Sequence, residues 1–133
     1  MSEPTLDART VLVLPAAACV PGIARRVMAH QLSEHGAGRA LIHDAELVLS
    51  ELVTNALKHG CRSDADDLEV SWAFTGNRLS LSVLDAGAGG EPLALQVPSE
   101  SLSGRGLAIV TCLAERWHVE HERGTRVTAE LAA

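Results

Sequence analysis

Residues 39–58, RALIHDAELVLSELVTNALK, carry their apolar side chains at the spacing of one helix face. At about 100° per residue, Leu41, Ile42, Ala45, Val48, Leu49, Leu52, Val53 and Ala56 fill a single arc. A helix this one-sided must lie on a second layer. That layer is legible downstream. LEVSWAF (68–74) and RLSLSVLD (78–85) alternate with period two around the turn TGN, which predicts a hairpin. HVEHE (118–122) and TRVTAEL (125–131), joined by RG, predict a closing hairpin. TVLVLP (10–15) reads as a further short strand. The expected fold is therefore α+β, a two-layer sandwich with a mixed, mostly antiparallel sheet and helices on one face.

Two more helices are expected. Pro21 opens one, with Ile23, Ala24, Val27 and Leu32 assigned to the core and Arg25, Arg26, His30 and Gln31 elsewhere. It ends at EHGAG (34–38), where glycines stop it. RGLAIVTCLAERW (105–117) is the other. Between the second hairpin strand and this last helix lies AGAGGEPLALQVPSESLSG (86–104), which has no clear period. No repeat or linker divides the chain, so residues 1–133 are expected to form one domain.

Composition excludes several classes. Only Trp72, Trp117 and Phe74 are aromatic, and the formal charge is −6. Stacking platforms and basic stripes for nucleic acid are both missing. Cys19, Cys61 and Cys112 are far apart and odd in number, which fits a reducing compartment rather than a disulfide framework or zinc site. The apolar run at 10–20 follows Glu3 and Asp7 and is broken by Pro15, unlike a secretion signal. No run reaches the ~20 apolar residues of a membrane span. A cytoplasmic location is expected. His118 and His121 fall on opposite faces of a strand, so HVEH does not read as a metal site.

The informative residues are polar ones in apolar places. Asp44, Glu51 and Asn55 lie within about 40° of one another on the flank of the helix arc, with Lys58 just beyond. They sit where the helix meets its neighbour layer, either as hydrogen-bonded structure or as the lining of a ligand site. His59 falls at the centre of the arc and reads as a satisfied histidine closing the helix. In 78–85 the inward series is Leu79, Leu81, Val83 and then Asp85, while Arg78, Ser80 and Ser82 make the wet parity. A carboxylate on a core face has to be paired or bound to something. In 125–131 the inward series begins with Thr125, so a hydroxyl enters the same face. Glycine clusters flank the irregular segment: DAGAGG (85–90) after a strand and GRGL (104–107) opening a helix. Backbone N–H groups at such a helix start are suited to an anion. Neither cluster matches a dinucleotide fingerprint, because Pro92 and Ile109 stand where the third glycine belongs.

Taken in order, SELVTNALKHG, VLDAGAGG, GRGLAIVTCLAERW and the final GT resemble the GHKL ATPase superfamily, with its Bergerat ATP-binding fold. Within it they are most similar to anti-sigma-factor serine/threonine kinases of the RsbW/SpoIIAB type, actinobacterial branch. The resemblance spans about residues 10–131. It implies ATP and Mg²⁺ as cofactors. Asn55 would ligate Mg²⁺, and Glu51 would act as general base or orient the nucleophile. Asp85 would accept the adenine amino group, Thr125 would reach adenine through water, and Gly87, with Gly89 beside it, would let the backbone approach the base. Gly104 and Gly106 would present N–H groups to the phosphates in the GRGL turn that includes Leu107. Lys58 and Arg105 would add phosphate contacts, and residues 86–103 would form the ATP lid. Trp117-His118 and Thr128 depart from the branch pattern, away from this chemistry.

The implied function is an anti-sigma factor that binds a sigma factor and phosphorylates a Ser/Thr of an anti-anti-sigma (STAS) protein. The resemblance also implies a homodimer pairing near the N-terminal strand and first helix. The competing reading is a nucleotide-binding partner-switch module acting by protein binding alone. Retention of Glu51 favours the kinase. A histidine-kinase fragment fits poorly, since the chain shows no helical hairpin with a phospho-acceptor histidine.

Overall fold

The computed structural model describes residues 9–15, 17, 20–60, 67–85, 105–121 and 124–132, with backbone alone at 59–60, 105–107 and 121. In chain order the elements are β1 (Arg9–Pro15), α1 (Val20–Glu34), α2 (Arg39–Asn55), a π-helical turn (Ala56–Gly60), β2 (Asp67–Thr75), β3 (Arg78–Asp85), α3 (Arg105–Leu113), β4 (Arg116–His121) and β5 (Thr125–Ala132).

The strands form one sheet in the order β1–β2–β3–β5–β4. All four described pairings are antiparallel, so the mixed character expected from sequence is not seen among them. The register stacks side chains in rows across the inner face. One row is Leu12, Val70, Val83, Val127 and Val119; the next is Leu14, Leu68, Asp85 and Thr125, with the backbone of His121 paired to Thr125 at its end. The helices lie over this face. α1 packs on β1 and β2, α2 on β3 and β5, and α2 also packs on both α1 and α3. Leu41, Ala45, Val48, Leu49, Leu52 and Val53 of α2 are all buried, as the arc predicted.

Local chemistry sets the ends of the elements. α1 closes with a Schellman pattern: Ala37 N–H bonds Leu32 O at 2.9 Å and Gly36 N–H bonds Ser33 O at 3.1 Å, with Gly36 at φ 89°. The β2–β3 turn places Gly76 at φ 62° and Asn77 at negative φ, the requirement of a two-residue II′ hairpin loop. Pro15 ends an edge strand, where a missing N–H is tolerated.

Three expectations need correction. Ile23 is 36% exposed, and Met28 takes its place in the core beside Val20, Ala24 and Leu32. These four recur every fourth residue, so the true stripe runs one side of the assumed one. The last helix stops at Leu113 instead of running to Trp117. Ala114 N–H still bonds Val110 O, but Glu115 N–H already bonds Glu130 O at 2.7 Å, and Trp117 pairs with Ala129 in the sheet. The outer parity is not simply wet. Ser82 is 8% exposed with its hydroxyl 2.9 Å from that of Thr128, and Ser71 is buried and receives Arg9 Nη2 at 3.4 Å. Leu84, also outward, is buried where Arg126 Nη2 and Glu69 Oε2 approach to 3.9 Å from the strands on either side.

Candidate functional site

Asp85 is the last residue of β3 and Thr125 the first of β5, and the register sets them opposite each other. Both therefore stand at one end of the inner face, where the row of core side chains turns polar. Asp85 is 3% exposed. Thr125 N–H donates to its Oδ1 at 3.0 Å, a charge-assisted bond when the carboxylate is ionised. Two separate parities in sequence put these residues on one face, and the strand register brings them opposite each other.

α2 packs over this face, on β3 and β5. Glu51 and Asn55, one turn apart, are both half-buried, as residues on the border of an apolar arc should be. Asp44 shares that half-buried border, and Lys58 is exposed. The helix does not stay regular to Lys58. Ala56 N–H still reaches the carbonyls of Leu52 and Val53, as in an ordinary helix end, and the chain then widens into the π turn Ala56–Gly60. The π turn contacts β3, so this end of α2 and the strand that ends in Asp85 belong to one packed unit. Wide turns of this kind interrupt helices most often at functional positions. Sequence periodicity could not show it, because ALKHG fits a regular helix equally well.

α3 begins at Arg105, so Arg105, Gly106 and Leu107 occupy its first turn, as the glycine signal predicted. Their N–H groups are among those that a helix start leaves without intrahelical partners. Gly87, Gly89 and Gly104, with the proposed lid at 86–103, lie outside the described residues.

Gly124, buried before Thr125, was not singled out from sequence as a site residue. A Cβ built on it would stand 1.8 Å from Asp85 O and 2.6 Å from Asp85 Oδ1. The signal was the GT pair itself. What it lacked was any hint that the glycine presses on the end of β3, far away along the chain.

A family model for the histidine kinase-like ATPase domain matches residues 15–131. The serine-protein kinase RsbW of Bacillus anthracis is 26% identical over 125 residues, covering 86% of this chain and 78% of that protein. The anti-sigma F factor of Clostridium acetobutylicum is 29% identical over 90 residues, covering 62% of this chain and 63% of its own. Among solved structures, one with the RsbU and RsbW domains of a Mycobacterium tuberculosis protein matches with a TM-score of 0.72 and 25% identity. That match covers 93% of this chain, which spans 31% of the larger one.

Proposed function

Because the chain belongs to the histidine kinase-like ATPase domain family, we propose that it is an ATP-dependent anti-sigma factor kinase acting on a Ser/Thr of a STAS-domain anti-anti-sigma protein. One observation carries the reading: a buried carboxylate at a strand end, held by a backbone amide on the face that α2 covers. The relatives named serine-protein kinase and anti-sigma F factor support the same reading.

The residues suit Mg-ATP. Asp85 is a buried acceptor, matched to an exocyclic amino group. The Asn55 carboxamide oxygen is a hard donor suited to Mg²⁺. The first turn of α3 offers N–H groups to phosphate oxygens. Lys58, exposed beside the site helix, and Arg105 add positive charge for the same anion. Thr125 would reach the base through water, and Gly87 and Gly89, outside the described residues, would admit its edge. ATP supplies the γ-phosphoryl group. Glu51 takes the proton from the acceptor hydroxyl at its carboxylate, or orients that hydroxyl, and the half-buried helix flank fixes where it does so.

The partners of this reading are a sigma factor and a STAS protein, and the −6 charge suits a basic segment of the former. The working unit of this reading is a homodimer. Its support is the edge strand β1, where Val11 and Val13 are 48% and 62% exposed.

Transfer from radiolabelled ATP with Mg²⁺ tests the reading directly, using STAS proteins encoded by the same organism. Glu51→Ala should abolish transfer and keep nucleotide binding, whereas Asn55→Ala should lose both. If the wild type labels none of those STAS proteins, the chain acts by protein binding alone.

A further inference from the structure

We propose that Gly124 is a positioning residue that fixes the Asp85 carboxylate and thereby sets purine selectivity. The proposal rests on the nucleotide site argued above. Gly22, Gly36, Gly38 and Gly76 all have open space where a Cβ would go. Gly124 does not: its Cβ would meet Asp85 O at 1.8 Å, Oδ1 at 2.6 Å and the Asp85 carbonyl carbon at 3.0 Å. Its φ is not in the left-handed region, so glycine is required there for space and not for conformation. The same peptide that presses on Asp85 carries the Thr125 N–H, which donates to Oδ1 at 3.0 Å. The close approach is to the Asp85 carbonyl oxygen first and to Oδ1 next, and the hydrogen bond is to Oδ1, so one peptide constrains both the backbone and the carboxylate of Asp85. The carboxylate is thus held by backbone, which reorients far less readily than a side chain. Any residue larger than glycine must part β3 from β5 at this end or turn the carboxylate away.

A fixed acceptor reads hydrogen-bond polarity. Adenine presents an N–H donor at its 6-position, whereas hypoxanthine presents a carbonyl oxygen. Two acceptors face to face repel, and the site cannot swing to relieve them. A site built to bond an N–H rejects an analogue lacking it strongly, so the full chain should prefer Mg-ATP to Mg-ITP by about 10²-fold or more.

Calorimetric titration with both nucleotides tests this on the wild type, Asp85→Asn, Gly124→Ala and Leu131→Ala. Leu131 is buried at the far end of β5, so its truncation loosens the same strand pair away from the site. Gly124→Ala should cut ATP affinity at least about tenfold with little effect on ITP, collapsing the ratio as Asp85→Asn does. Leu131→Ala should lower the melting temperature and keep the ratio. If Asp85→Asn destroys the ratio and Gly124→Ala preserves it, positioning by Gly124 is overturned and the nucleotide site stands. If Asp85→Asn changes neither affinity nor ratio, the nucleotide reading itself falls. Should Gly124→Ala fail to fold, the Thr125 amide resonance of the wild type decides. It should move on saturation with ATP and hardly at all with ITP, and equal movement with both would overturn the proposal.

Discussion

At Asp85 the core parity of β3 runs out in a carboxylate. Burial of an ionised group costs several kcal/mol unless hydrogen bonds compensate, and the Thr125 amide provides one such bond. Asp85→Asn keeps an acceptor for that amide, so the fold should survive, while the charged acceptor for a base is lost. Mg-ATP binding should weaken by about 1–3 kcal/mol in a calorimetric titration. Unchanged affinity, with circular dichroism intact, would remove Asp85 from the site. The residue was legible in sequence because Leu79, Leu81 and Val83 fix the parity that Asp85 inherits. Gly124 was not, because its necessity is a distance to another strand.

At the scale of elements, α2 is held by its apolar arc and α3 by buried Val110 and its packing on α2. Leu49 is fully buried between α2 and its neighbours. Leu49→Ala should cost about 2–5 kcal/mol in urea denaturation, the transfer term plus the cavity left behind. The α3–β4 joint is secured differently. Trp117 Nε1–H donates to Thr111 Oγ1 at 3.0 Å near the surface. Thr111→Val leaves the indole N–H to water, so the loss should stay at or below about 1 kcal/mol. An effect as large as that of Leu49→Ala would mean that the joint carries more of the fold than one exposed bond explains. The same joint explains the overlong helix expected from sequence. LAERW continues the helical pattern locally, but Glu115 N–H finds Glu130 O and the chain turns into the sheet. Local preference lost to a strand partner that no local window contains.

For the whole molecule the open question is what covers the β1 edge. Among the described residues β1 is an edge strand carrying two exposed valines, which invites a partner strand or helix. Under the proposed homodimer, light scattering at micromolar concentration should show one species near twice 14.0 kDa. Val13→Lys should shift it toward the monomer without changing ATP affinity, since Val13 lies on the face opposite to Asp85. A wild type that is monomeric with and without ATP would remove the dimer from the proposal and leave the nucleotide site as it is.

Sequence by itself determined the layers, the strands and the inward placement of Asp85 and Thr125, because periods of 3.6 and 2 are properties of a chain's own geometry. The order of four short motifs pointed to the family for the same reason: each is a contiguous run. Tertiary structure decided the rest. It set Asp85 opposite Thr125 rather than one residue along, and it chose Met28 over Ile23 for the core. It also widened the chain after Asn55 and left no room for a Cβ at Gly124 by bringing its peptide against the end of β3. Each of these depends on which residues far apart in the chain end up in contact. Packing fixes those contacts, and no stretch of sequence read alone contains them.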